Sequence, residues 1–129
     1  MNKDVKTKLI DEAVRVRKMT YAPYSKFLVG ASILCADGEI YSGANFENVS
    51  FGAGTCAERV ALGQALSNGK RSFTAICVSG ENADITPCGI CRQALSEFGD
   101  TDVICTNHDG SETREYKLSD LLPHAFDKI

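Results

Sequence analysis

The 129-residue chain has no long apolar run and no stripe of basic residues. Met1 to Lys18 alternates charged and apolar side chains, so this stretch is read as neither a secretion signal nor a membrane span. Beyond the pair Lys70–Arg71 positive charge is not clustered, and the formal net charge is −3. Extended nucleic acid is therefore not an expected partner, and neither is a membrane. Histidine is scarce: His108 falls in an expected turn and His124 near the C-terminus, and neither has ligand spacing to a cysteine. No repeat, low-complexity tract or linker divides the sequence, and its length suits a single domain, 1–129, with a sizeable core. Cysteine, by contrast, is plentiful, with six residues. The expected compartment is the reducing cytoplasm, where cysteines serve as metal ligands or small buried hydrophobes sooner than as disulfides.

Val5, Leu9, Ile10, Ala13, Val14 and Val16 lie near helical spacing and predict a helix over 3–17, which Pro23 keeps from running far. Residues 27–34 are apolar and partly β-branched, the pattern of a buried strand. Asp37–Gly38 is a tight-turn dipeptide, with 39–43 as the hairpin partner. Residues 45–54 are polar and glycine-rich and form a loop. A helix follows over 56–66, closed near Asn68–Gly69. The remaining elements are a buried strand at 73–79, a helix at 88–98, a short strand at 103–106, a turn at 107–110 and a last helical turn at 118–122. Such alternation predicts an α/β sandwich around a central sheet, without fixing strand order.

The chemistry concentrates at two helix starts. In Pro87-Cys88-Gly89-Ile90-Cys91, Thr86 is the expected N-cap and Pro87 the first helical residue. Cysteines three apart share one helix face, so both sulfurs reach one point. Upstream, Thr55 is the expected N-cap for Cys56-Ala57-Glu58. Free N–H groups and the positive dipole end of a first turn favour thiolates. If the two helix starts face each other, three sulfurs surround one ion. Zinc held by three protein ligands keeps a fourth position for water and lowers that water's pKa to around 7. Glu58 is placed to lean over that position and carry a proton.

Cys56-Ala57-Glu58-Arg59 and Pro87-Cys88-Gly89-Ile90-Cys91-Arg92-Gln93 closely resemble the all-cysteine class of cytidine deaminases. The resemblance extends to Tyr24-Ser25-x-Phe27-x-Val29-Gly30-Ala31, to Asn45-Phe46-Glu47-Asn48 and to Leu121-Leu122-Pro123-x-Ala125-Phe126. It implies a three-layer α/β/α sandwich with a mixed sheet of about five strands. It implies one zinc per chain, held by Cys56, Cys88 and Cys91, with Glu58 as proton shuttle. Asn45 and Glu47 would bond the ribose hydroxyl, Phe27 would line the nucleoside pocket, and the Ala57 backbone would touch the base. Phe126 would stack on the pyrimidine, in that family often from a neighbouring subunit of a homotetramer. Three thiolates around Zn²⁺ carry a net −1, and Arg59 matches the arginine that offsets this charge. The activity implied is hydrolytic deamination of cytidine and deoxycytidine to uridine and deoxyuridine with loss of ammonia, a pyrimidine salvage step.

Plainer readings stand beside these. Cys88 and Cys91 alone would also suit a redox dithiol, and three cysteines a non-catalytic zinc module. Thr55-x-x-Glu58 is also a capping box, in which the glutamate only satisfies a backbone donor. Phe27 also suits plain core, Asn45 and Glu47 an ordinary loop, and Arg92 a cap or pair on its own helix. Cys35, Cys77 and Cys105 fall in expected strands as small apolar residues. The loop Phe51-Gly52-Ala53-Gly54 departs from the family, where tyrosine commonly stands at Phe51, and predicts a more open wall. Glycines there also occur in deaminases of the nucleoside antibiotic blasticidin, which is the alternative substrate. A polynucleotide editor is disfavoured by the short, acidic chain and by the ribose motif.

Overall fold

A computed structural model describes all 129 residues. Helix α1 spans Lys3–Arg17 as expected, capped by Asn2, whose Oδ1 accepts from the Val5 N–H at 2.9 Å. Leu9, Ala13 and Val16 form its buried stripe. The strands are β1 Gly30–Cys35, β2 Ile40–Ala44, β3 Phe73–Ser79, β4 Asp102–Thr106 and β5 Thr113–Lys117. They make one sheet in the order β2-β1-β3-β4-β5. Only the β3–β4 pair is parallel, so the sheet is mixed. Helices α2 Ala57–Ser67, α3 Gly89–Ser96 and α4 Leu118–Leu121 complete the chain.

The sheet carries apolar residues on both faces and is covered on both. Leu9 and Ala13 of α1 pack with Leu34, Ala75, Cys77 and Ile104 on one side. Ala57, Ala61, Leu62 and Ala65 of α2 and Leu95 of α3 pack with Ile33, Ile76, Val78, Val103 and Cys105 on the other. The result is the expected three-layer α/β/α sandwich with five strands.

Two local differences from the sequence reading have clear causes. Strand β5 reads Thr-Arg-Glu-Tyr-Lys, with only Tyr116 half-buried. It is an edge strand whose charges face solvent, so it lacks an apolar run to mark it. Strand β1 begins at Gly30, not Phe27. A Cβ at Gly30 would lie 2.2 Å from the Ala13 carbonyl oxygen and 2.8 Å from the Arg17 Cα, so only glycine lets α1 cross this close.

Register then decides where the site lies. Gly30 pairs with both Ala44 and Ser79, and Ser79 pairs with Thr106. The start of β1 and the ends of β2, β3 and β4 therefore share one end of the sheet. Ligands of open α/β sheets bind beyond the carboxyl ends of parallel strands, and the loops here carry Phe27, Asn45, Glu47, Cys56 and Cys88.

Candidate active site

Both α2 and α3 start at this end of the sheet. The residues that bound them are the cysteines themselves: Cys56 (φ −68°, ψ 150°) and Cys88 (φ −67°, ψ 170°) are the N-caps, and neither side chain caps. Thr55 and Thr86 lie outside the helices and do not cap, a correction to the sequence reading. Extended backbone at each cysteine swings its sulfur to the mouth of the helix. There the uncapped first turn and the positive dipole end favour negative charge.

The sulfurs converge. Cys56 Sγ and Cys88 Sγ are 3.8 Å apart, and all three Sγ atoms lie within 4.8 Å of one another. Thiolates about 2.3 Å from a tetrahedral zinc sit about 3.8 Å from each other, so the donor set fits the ion. A disulfide needs about 2.05 Å, and all six cysteines are free. No histidine, carboxylate or further cysteine joins the cluster, so it offers three ligands and an open fourth position. Cys91 is buried, Cys56 half-buried and Cys88 exposed, so the cluster opens outward on the Cys88 side.

Arg59, one turn along α2 from Cys56, donates from Nη2 to Cys56 Sγ at 3.5 Å. Its Nε–H is buried without a protein acceptor. Hydrogen bonding to Cys91 and Cys56 raises the guanidinium pKa, so this charge is held firmly beside the sulfurs. Cys56 and Cys91 titrate as a pair: the Cys56 thiol is pulled down to about 5, first by Cys91 and then by Arg59 against the effect of burial, while Cys91 is pushed up by Cys56 and by burial.

Glu58 is the second residue of α2 and is only 5% exposed. Burial pushes its carboxyl up to about 7; the charge on Cys56 adds to this and Arg59 opposes it. The reciprocal Thr55–Glu58 box does not form, since Cys56 is the N-cap and the Thr55 N–H donates to the Phe46 carbonyl; the Glu58 carboxylate instead accepts from its own backbone N–H, which opposes the effect of burial. The carboxyl is thus buried beside the cysteine cluster with its pKa raised, the setting in which carboxylates reach the range of acid–base work.

Asn45 and Glu47 organise the segment leading into β1. Asn45 Oδ1 accepts from Val29 N–H at 2.9 Å and its Nδ2 donates to the Phe27 carbonyl at 2.9 Å. Glu47 Oε1 accepts from the Tyr24 and Ser25 N–H groups, each at 3.1 Å, and Oε2 accepts from the Ser25 hydroxyl. Both residues line a cavity of about 500 Å³ together with Tyr24, Phe51, Cys56 and Arg59. Phe27 is 52% exposed, which excludes the core reading, and lines a second cavity of about 340 Å³ with Thr86 and Ile85. The Ala57 side chain is fully buried. Phe126 lines neither cavity. It is held by Gln93, whose Nε2 donates to the Phe126 carbonyl at 2.8 Å and whose Oε1 accepts from the Phe126 N–H at 3.1 Å. Within one chain the structure thus gathers the cysteines, Glu58, Arg59, Asn45 and Glu47, and leaves Phe126 apart. Ser25 also belongs to the site through its bonds to Glu47, a contact across 22 positions that the motif Tyr24-Ser25-x-Phe27 does not announce. Arg92 does more than pair on its own helix, reaching both Thr86 and Leu121.

The fold and the donor set define a zinc-dependent enzyme built on a three-layer α/β/α sandwich. The pattern described as the cytidine and deoxycytidylate deaminase zinc-binding region matches residues 3–107. The cytidine deaminase of Sporosarcina psychrophila is 45% identical over 94% of this chain and 90% of its own length. A probable cytidine deaminase of Dictyostelium discoideum is 43% identical over 98% of this chain and 86% of its own. The crystal structure of cytidine deaminase from Burkholderia pseudomallei superposes with a TM-score of 0.88 at 43% identity, covering 98% of this chain and all of that one. The chain belongs to the cytidine and deoxycytidylate deaminase zinc-binding family.

Proposed function

We propose that the protein is a hydrolase that deaminates cytidine and deoxycytidine to uridine and deoxyuridine, releasing ammonia. The observation that carries this reading is the meeting of three cysteine sulfurs, within 4.8 Å of one another, with the buried Glu58 of the same helix turn. Zinc bound there supplies a water acidic enough to serve as nucleophile near neutral pH. Cys56, Cys88 and Cys91 hold the metal, and Arg59 offsets the excess negative charge of three thiolates. Glu58 takes a proton from the water and gives it to N3 of the cytosine ring as the oxygen bonds to C4. It then passes the second proton from that oxygen to the amine, so the C4–N bond breaks, ammonia leaves and the C4 carbonyl forms. A carboxyl poised near neutrality suits both halves of that transfer.

Asn45 and Glu47 would meet the ribose. Each already has its hydrogen-bonding groups engaged by the 24–29 backbone, which fixes the side chains in the rigid geometry that a hydroxyl-binding pair needs. Phe27 would line the base pocket, the Ala57 backbone would touch the base, and Phe126 would stack on a pyrimidine across a subunit contact. The exposed rings of Phe27, Phe51 and Phe126 suit subunit contacts, and the family resemblance supplies the homotetramer with sites at those contacts. Residues 1–129 act as one catalytic domain. Six free cysteines suit the reducing cytoplasm, and the deamination itself is a step of pyrimidine salvage.

The loop at Phe51–Ala53 is a 3₁₀ turn, with Phe51 83% exposed and in edge contact with Tyr24 at 6.4 Å between ring centroids. Its two glycines differ. A Cβ at Gly52 meets open space, whereas one at Gly54 would lie 2.8 Å from the Phe46 carbonyl oxygen. Gly52 thus contributes the openness and Gly54 the close approach of loop to Asn45–Glu47. Gly52 itself lies outside the cavity lining, whereas the exposed Phe51 stands on it, and this open rim favours tolerance of modified cytosine nucleosides. Kinetics on cytidine, deoxycytidine and blasticidin test this: comparable kcat/KM on the two simple nucleosides supports it, and a strong preference for blasticidin replaces it.

A further inference from the structure

We infer that Arg92 is a positioning residue for the metal centre, locking the turn that presents Cys88 and tying it to the C-terminal segment. Arg92 follows Cys91 on α3 and is half-buried. Its backbone N–H donates to the Cys88 carbonyl at 2.9 Å. Its side chain reaches back along the same turn: Nε donates to the Pro87 carbonyl at 2.7 Å and Nη2 to Thr86 Oγ1 at 3.1 Å. One residue thereby holds three consecutive residues, Thr86, Pro87 and Cys88. The remaining arm, Nη1, donates to the Leu121 carbonyl at 2.7 Å, at the end of α4. That carbonyl is in the last turn of a helix, where no intrahelical N–H is left to satisfy it.

The turn has reason to be held. Cys88 is the most exposed of the three cysteines, its backbone is extended, and its side chain makes no capping bond. Pro87 is fully buried and has no N–H with which to anchor the turn from its own side. The guanidinium is a rigid planar fork, so acceptors bonded to its separate arms are fixed relative to one another. A lysine ammonium is a point donor on a flexible stem and does not span Thr86, Pro87 and Leu121 together. Partners that orient metal ligands commonly carry 10- to 100-fold in metal affinity without touching the ion.

This inference rests on the zinc site proposed above, and the experiment separates the two. Zinc-loaded wild type, Arg92→Met and Arg92→Lys are mixed with a chromogenic chelator, and the rate of zinc transfer is followed. Arg92→Met keeps the aliphatic stem and is expected to release zinc about 10- to 100-fold faster, with Arg92→Lys intermediate. The kcat per bound zinc changes far less than the release rate. Arg71→Met is the control: this guanidinium also binds carbonyls, of Leu66 and Lys70, but at the far end of α2, and its loss leaves release at the wild-type rate. If Arg92→Met does not fold, the rate for Arg92→Lys decides. Wild-type protein without zinc overturns the metal-site reading itself. Zinc-loaded wild type with unchanged release in the folded Arg92 variants overturns the role of Arg92 alone.

Discussion

Two sets of cysteines share this chain and stand in different surroundings. Cys35, Cys77 and Cys105 stand inside β1, β3 and β4, all buried, with Cys77 on the α1 face of the sheet and Cys105 on the α2 face. Burial pushes all three thiols up, Cys105 to about 12 and Cys77 further, so they remain protonated and inert. Cys56, Cys88 and Cys91 stand at the mouths of two helices at the sheet's end, and Cys56 is pulled down to about 5. The contrast teaches that residue type does not decide the role of a cysteine. In the strands burial dominates and holds the thiol neutral, whereas a helix start with an arginine beside it supplies the positive field that favours a thiolate at Cys56.

The sharpest way to break that contrast is to delete one member of each set. Cys91→Ala removes a ligand and is expected to drop zinc from about one per chain to near none, with turnover lost alongside; metal analysis and an ammonia assay check it. Glu58→Gln tests whether this end of α2 is chemical as well as metal-binding. It should keep zinc and fold while lowering kcat roughly 10²- to 10⁴-fold, and substantial activity would remove Glu58 from the catalytic role. In zinc-stripped protein at pH 7, mass spectrometry after iodoacetamide treatment should find Cys56 modified well before any strand cysteine. Cys56 lies below its ordinary value and is thiolate at that pH, whereas Cys105 and Cys77 lie above theirs. The smallest effect is expected at Cys77→Val, a swap of similar volume costing less than about 1.5 kcal/mol in denaturant unfolding, with zinc content unchanged.

How much of this was legible in the sequence depended on how local each feature is. Helix α1 and strand β3 match the predicted bounds because their apolar spacing alone settles them. Strand β5 was invisible to that signal, since an edge strand of charged residues is stabilised by its backbone ladder with β4 and not by an apolar face. The cluster of Cys56 with Cys88 and Cys91 joins residues 32 positions apart, so it was readable only through the paired motifs. The caps were misplaced for a related reason. Threonine is the better cap in isolation, but convergence of the sulfurs is a tertiary fact that propensity does not encode. The grip of Asn45 and Glu47 on residues 24–29 is likewise a contact across 16 to 23 positions that no local pattern announces.

The most direct test of the central claim is a single sample of purified protein incubated with cytidine, with loss of absorbance followed as uridine forms and zinc per chain measured alongside. The account predicts rapid turnover with about one zinc per chain. Absence of both zinc and turnover would contradict it and return Cys88 and Cys91 to the reading of a simple dithiol.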